Sequence, residues 1–173
     1  MRFLVPISLA VSLVGATPVL ACGNPLLWAA LFSRVPEAKA VYDADLAARQ
    51  DGAMRARVFE NPSNGLDYHR WSINWIQDAA VKLDETVQPL LPDGGDFVVL
   101  LADEVAAIRF EQGAEPKVIS AAALDIAAGF DAITTINALE SGLNHGLTAL
   151  QMTELGVLSV TANRRQQVVA SLF

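Results

Sequence analysis

The sequence predicts an α+β fold, in which a helical N-terminal part is followed by a small antiparallel sheet covered by helices. Three observations carry this prediction. Apolar residues recur at helical spacing after position 24 and again between Ile73 and Leu90. Short runs rich in Val and Ile, FVVLL at 97–101 and KVIS at 117–120, then indicate strands. The C-terminal part alternates short strands with capped helices, which completes a mixed architecture.

Two helices are predicted in the N-terminal part. Asn24-Pro25 is a typical helix start, since Asn accepts an orphan N–H and Pro at the first position loses no needed donor. The segment PLLWAALFS that follows is apolar nearly all round, so we expect it to be buried or to lie against a membrane. A second helix begins at Pro36, and its inner stripe is predicted to hold five residues: Ala38, Val41, Tyr42, Asp45 and Leu46.

A turn cluster at residues 60–65 is the best internal boundary and separates a helical segment, 22–60, from an α+β domain, 61–173. The long helix beyond it places its apolar residues on one stripe: Ile73, Ile76, Ala80, Leu83, Val87 and Leu90. Trp71 and Trp75 lie on a neighbouring face. They form either a packing face of the core or, together with Trp28, a surface for a partner protein.

The sheet is predicted from FVVLL, EVAAIRFE at 104–111 and KVIS as antiparallel neighbours, with an inner face made of Val98, Leu100, Ala106 and Ile108. A short Ala-rich helix over 120–128 is expected to end at Gly129. Beyond it, DAITT at 131–135 and VLSVTA at 157–162 are predicted strands. Between them lie two helices ended by Gly146 and Gly156, and a terminal helix follows Asn163.

The first 21 residues have the anatomy of a secretory signal, with one basic residue, Arg2, an apolar stretch and then small residues. Cys22 is the single cysteine, and Val19-Leu20-Ala21-Cys22 resembles the lipobox of bacterial lipoproteins. That resemblance implies acylation of Cys22 and attachment to the periplasmic side of a bacterial membrane. The alternatives are cleavage that leaves a free thiol and a retained apolar N-terminal segment. No intramolecular disulfide is available in any case.

The C-terminal part carries a second resemblance. Ala132-Ile133-Thr134-Thr135, Gly146-Leu147-Thr148, Gln151-Met152 and the run 156–160, GVLSV, are similar to the sterol carrier protein domain family over about residues 97–173. Members of that family bind lipids and other apolar ligands in a tunnel between a curved sheet and helices. The resemblance implies a ligand cavity faced by apolar side chains that could equally be plain core residues: Ile133, Leu139, Leu143, Leu150, Met152 and Leu155.

Composition excludes several classes of protein. The chain of 173 residues is 53% hydrophobic and 18% charged, so it can form a core without metal or disulfides. Its net charge is −7, and it becomes one unit more negative when Arg2 leaves with the leader. A charge of that sign disfavours binding to nucleic acid.

No sequence motif points to catalysis, a cofactor or a metal. The two histidines, His69 and His145, have structural explanations, on the long helix and at a helix end respectively. Nucleophile elbows, phosphate-binding glycine loops and metal-ligand spacings are absent from the sequence. The sequence therefore predicts an exported, non-catalytic protein that binds a lipid or other apolar ligand. The alternative is an accessory subunit that stabilises a membrane-protein complex.

Overall fold

The computed structural model of the protein describes residues 25–55, 65–91, 93–120, 123, 126, 129–161, 163–164 and 167–169. Five helices are assigned there: α1 (Pro25–Arg34), α2 (Pro36–Gln50), α3 (Gly65–Val87), α4 (Ile136–His145) and α5 (Ala149–Glu154). A short 3₁₀ turn, Gln88–Leu90, follows α3. The strands are β1 (Asp96–Leu101), β2 (Ala106–Glu111), β3 (Lys117–Ser120), β4 (Ala132–Thr134) and β5 (Ser159–Val160). The fold is α+β, as the sequence predicts.

The five strands form one open sheet in the order β3-β2-β1-β4-β5. The three predicted strands at 97–120 are antiparallel neighbours, as expected. Strand β4 pairs with β1 in parallel, and β5 then pairs with β4 antiparallel. The sheet is therefore mixed, mostly antiparallel, because the chain crosses from one edge to the far side of β1 before it enters β4.

Both faces of the sheet are covered, so the single inner face predicted from sequence is wrong. Every residue of β1 after Asp96 is buried, which is typical of a strand between two layers. Val99 faces Ile108 across the β1–β2 ladder, whereas Leu100 faces Ala107. Successive side chains point to opposite faces. The predicted set, Val98, Leu100, Ala106 and Ile108, therefore mixes the two faces.

One face of the sheet carries the larger core, formed with α3, α4 and α5, with Ala48 and Met54 at and after the end of α2, and with Val168 near the C-terminus. Ile76, Ala80, Leu83 and Val87 of α3 are buried there, as their spacing predicts. Ile73 is the exception, since it is 40% exposed. Ala79 is buried instead, so the buried stripe of α3 extends on the side away from Ile73.

The other face packs against α1 and α2. Leu31, Val35, Ala38 and Val41 of these helices form a second core with Leu100 and other apolar residues of the sheet layer. The segment 22–60, predicted as a separate helical part, thus supplies the third layer of the structure over its described portion. The layers are α1 with the first half of α2, then the sheet, then α3, α4 and α5, and the second half of α2 reaches the larger core through Ala48.

The predicted ends of the C-terminal helices are confirmed. Thr135 caps α4 and Gly146 ends it with a positive φ of 71°, a left-handed conformation that glycine adopts without strain. Thr148 and Gln151 form the predicted capping box at the start of α5. Strand β5 is shorter than the predicted 157–162 and ends beside Thr161, whose N–H donates to the Asp131 carbonyl.

Several predictions fall outside the described residues. These are the leader, Cys22, most of the turn cluster at 60–65, most of the Ala-rich helix over 120–128 and most of the terminal helix. The described residues Gln167–Val169 of the terminal helix are helical. The His69 side chain is likewise not among those that the structure describes. His145 is exposed in the last turn of α4.

Candidate functional site

A concavity lies where α1 meets α2, beside β4 and the edge strand β5. We call it the junction groove. It has a volume of about 360 Å³, within the usual range for small-molecule sites. Its walls come from the helix junction, the segment before β4 and the β5 strand: Arg34, Val35, Glu37, Ile126, Gly129, Phe130, Ile133, Ser159 and Thr161.

The junction groove has an apolar floor and a polar rim. Val35 and Ile133 are buried, and Ile126 and Phe130 pack against the same second core. Arg34, Glu37 and Thr161 are exposed at the rim. Arg34 and Glu37 make no ion pair with any other described residue. The arrangement suits an amphipathic molecule, with its apolar part against Phe130 and Ile133.

A second, smaller concavity of about 260 Å³, the edge groove, continues from the first along β5. The two share Glu37 and Ser159. Helix α2 forms one wall through Ala40 and Val41, and Gly156 lies beneath it. A Cβ at Gly156 would stand 3.4 Å from the Ala44 Cβ, so glycine lets α2 lie close to the turn before β5.

An aromatic cluster packs against the second core. The ring centroids of Trp28 and Tyr42, and those of Phe32 and Tyr42, are each 5.6 Å apart. These three residues pack on the same second core as Ile126 and Phe130. The buried Nε1 of Trp28 has no hydrogen-bond partner within the described part of the chain. The aromatic cluster and the floor of the groove therefore belong to the same second core.

A buried polar cluster lies where α2 meets the first turn of α4. Asp45 is fully buried and forms an ion pair with Arg49, with an Nη2 to Oδ2 distance of 2.7 Å. Its other oxygen accepts from the Thr135 hydroxyl at 2.9 Å. The Asn137 amide donates to Oδ2 at 3.4 Å. Asp45 is therefore fully satisfied, and the cluster ties α2 to α4.

Asp103, in the turn between β1 and β2, adds a second carboxyl to this region. Both of its oxygens accept from the Ile136 backbone N–H, at 3.1 and 3.0 Å. Withdrawal of the carboxyl from water, together with the charges of Glu104 and Asp45, raises the pKa of Asp103 to about 8. Sequence reasoning missed this cluster, because its members lie far apart in the chain and follow no motif.

The structure separates the six predicted ligand residues. Ile133 lies on the second face of the sheet and lines the junction groove. Leu139 and Met152 are buried in the larger core on the opposite face, and Leu143 and Leu155 pack against it. Leu150 is 53% exposed on α5. Of the six, Ile133 alone lines either of the two grooves described above.

The three tryptophans are also spread over the molecule. Trp75 packs against the larger core and Trp28 against the second core. Trp71 is 36% exposed on α3. Of the two tryptophans predicted to form a partner surface on α3, Trp75 is therefore used in core packing and Trp71 lies at the surface.

The described residues show neither a metal-binding cluster nor a membrane-spanning helix. They hold no group of three or more His, Cys, Asp or Glu side chains that could bind a metal ion. Within the same residues, each helix is too short or too polar to cross a bilayer. Comparison of the chain with protein-family models, with curated proteins and with solved structures finds no match.

Proposed function

We propose that this chain is an exported, membrane-tethered, non-catalytic protein that binds an amphipathic ligand, such as a lipid, in the junction groove. The observation that carries the proposal is the groove itself: about 360 Å³ of space between a buried apolar floor and an exposed polar rim. Ile133, which the resemblance to sterol carrier proteins implies as a ligand residue, lies on that floor. Tethering rests on the lipobox-like sequence that ends at Cys22.

Ser159→Trp is the direct test, because Ser159 lines both grooves from a strand edge and its side chain is outside the two cores. We expect protein purified without detergent to carry a bound lipid in native mass spectra and to take up a fluorescent fatty acid. The indole should fill the groove and weaken that uptake about tenfold or more.

Leu150→Trp is the matched control, since it adds the same indole at an exposed position on α5, away from the groove. It should take up the fatty acid as the parent does. Native spectra without any adduct, together with no uptake by the parent protein, would contradict the proposal.

A second candidate function is that of an accessory subunit that packs against a membrane-protein partner. The observation that favours it is the outer side of α3, where Ile73 and Val81 are 40% and 57% exposed. Eight residues apart, they lie about 80° from each other around the helix. Under this alternative, Val81→Arg should lose a stoichiometric partner after crosslinking in intact cells, whereas Ser159→Trp should retain it.

A further inference from the structure

Helix α1 presents an apolar surface to solvent along its first two turns. Leu26 is 77% exposed and Leu27 41%. Ala29 and Ala30, on the same side, are also exposed, while Trp28 on the opposite side packs against the second core. At 100° per residue the exposed residues form one continuous arc. We call this arc the α1 surface.

The α1 surface differs from the exposed side of the next helix. On α2 the exposed positions include Glu37, Lys39 and Asp43, as is usual for a helix that faces water. In α1 the first charged residue is Arg34, in its last turn, and the helix has no acidic residue. In a chain with a net charge of −7, a helix that lacks acidic residues and exposes leucines is suited to a lipid surface rather than to water.

The position of α1 in the chain identifies its partner as a bilayer. Pro25, its first residue, is three residues after Cys22, so α1 begins at most about 11 Å from that sulfur-bearing residue. An acyl chain on Cys22 would anchor this residue at the membrane interface. Interfacial helices bury their apolar face about 5–10 Å into the boundary between headgroups and acyl chains.

We propose that the first two turns of α1 lie against the lipid bilayer, with Leu26 and Leu27 inserted among the acyl chains near the headgroups. This inference rests on the membrane tether of the proposed function and adds the surface that faces the lipid. It also orients the ligand site. Arg34, at the rim of the junction groove, is about 12 Å along α1 from Leu26, so the groove opens close to the membrane surface.

The test uses environment-sensitive fluorescence on the full chain, processed in cells and reconstituted into phosphatidylcholine vesicles. Leu26→Cys carries the probe, and Leu150→Cys is the matched control, because Leu150 is also more than half exposed but lies on α5. We expect the probe at position 26 to shift to the blue and to be quenched several-fold by nitroxide lipids. The probe at position 150 should report water and resist quenching.

Retention on the vesicles gives an independent measure. Leu26→Ser combined with Leu27→Ser changes only exposed side chains, so the fold should persist. It should weaken vesicle binding of the Cys22→Ser protein about tenfold or more, since two leucines no longer enter lipid. A probe at position 26 that reports water in vesicle-bound protein would overturn the inference, and so would a protein that does not bind the vesicles.

The proposed tether and the proposed α1 contact can be refuted independently of each other. Intact mass shows whether Cys22 is acylated, which tests the tether alone. If Cys22 is free, the probe at position 26 is read in the Cys22→Ser background, where blue-shifted emission still supports the α1 contact. If Cys22 is acylated and position 26 reports water, the tether stands and the α1 contact is refuted.

Discussion

Asp43 and Asp45 lie on the same helix, and each has a basic partner four residues away. The Lys39–Asp43 pair is more than half exposed on both sides. The Asp45 side chain is 1% exposed, and its Arg49 partner is 26% exposed. Exposed ion pairs contribute about 0–1 kcal/mol, whereas removal of one partner from a buried pair leaves a costly unpaired charge. Two ion pairs with the same four-residue spacing therefore differ greatly in their contribution to the free energy of unfolding.

Asp45→Ala should lower the free energy of unfolding by about 3 kcal/mol, because Arg49 and Thr135 both lose their buried partner. Asp43→Ala is the matched control and should cost less than about 1 kcal/mol. Urea unfolding of both variants measures the difference. Equal losses would mean that the buried cluster contributes no more than the surface pair.

Asp103 makes stability depend on pH in a defined direction. Its pKa is raised from 3.8 to about 8 in the folded protein, chiefly by removal from water. Between these values the folded state retains a proton that the unfolded chain has released. The stabilisation is therefore complete below about pH 4 and is lost as the pH rises to about 8.

Asp103→Asn should remove this dependence, because the amide keeps an oxygen for the Ile136 N–H but does not titrate. The free energy of unfolding of the parent, minus that of the variant, should fall steadily between pH 4 and pH 8 and then level off. Asn74→Ala, at an exposed and non-titrating position on α3, is the control and should give a flat difference. A flat difference for Asp103→Asn as well would refute the raised pKa.

At the scale of elements, the two threonine N-caps differ in the hydrogen bonds that their side chains make. Thr148 caps α5 at the surface through its capping box with Gln151. Thr135 caps α4 by accepting from the Ala138 N–H, and its hydroxyl also donates to buried Asp45. The second cap therefore joins α4 to α2 as well as starting its own helix.

Thr148→Ala should cost about 1 kcal/mol, the usual value for loss of an N-cap. Thr135→Ala should cost about 3 kcal/mol, because a charged buried acceptor also loses its donor. Thr135→Ser, which keeps the hydroxyl, should recover most of that loss. Thermal or urea unfolding provides the comparison, and equal costs for the two alanine variants would show that the Asp45 contact adds nothing.

Local signals predicted the elements well. The caps at Thr135 and Thr148 and the stop at Gly146 follow from side-chain chemistry within a few residues, and the structure has all three. The parallel pairing of β4 with β1 and the burial of both sheet faces were missed. Both depend on contacts between segments far apart in the chain, which no local periodicity encodes.

The candidate site was predicted less well for the same reason. The junction groove joins the end of α1, the start of α2, the segment before β4 and the strand β5. Each segment contributes one or a few residues without a motif. Ile133 was selected through a family resemblance, whereas the five residues named with it occupy the other face of the sheet or the surface. Apolar residues at core spacing do not reveal which face they join.

At the scale of the whole molecule, the two sides of the sheet differ in structure. The larger core, with α3, α4 and α5, stabilises one side of the sheet, and α1 and α2 close the other side while leaving a groove. The helix that forms the wall of this groove is also the one nearest to Cys22 in sequence. The candidate groove and the proposed membrane attachment thus belong to the same layer, as expected if the ligand comes from the bilayer.

Membrane attachment of the whole protein should depend on Cys22. If Cys22 is acylated as proposed, Cys22→Ser removes the acyl chain and leaves only the α1 surface, whose few apolar side chains give weak and reversible binding. We therefore expect the variant to move from the membrane fraction to the soluble periplasmic fraction. Leu150→Ser, a surface change away from the anchor, should fractionate as the parent does. If Cys22→Ser also stays with the membrane after a salt wash, the protein is held by something other than an acylated cysteine.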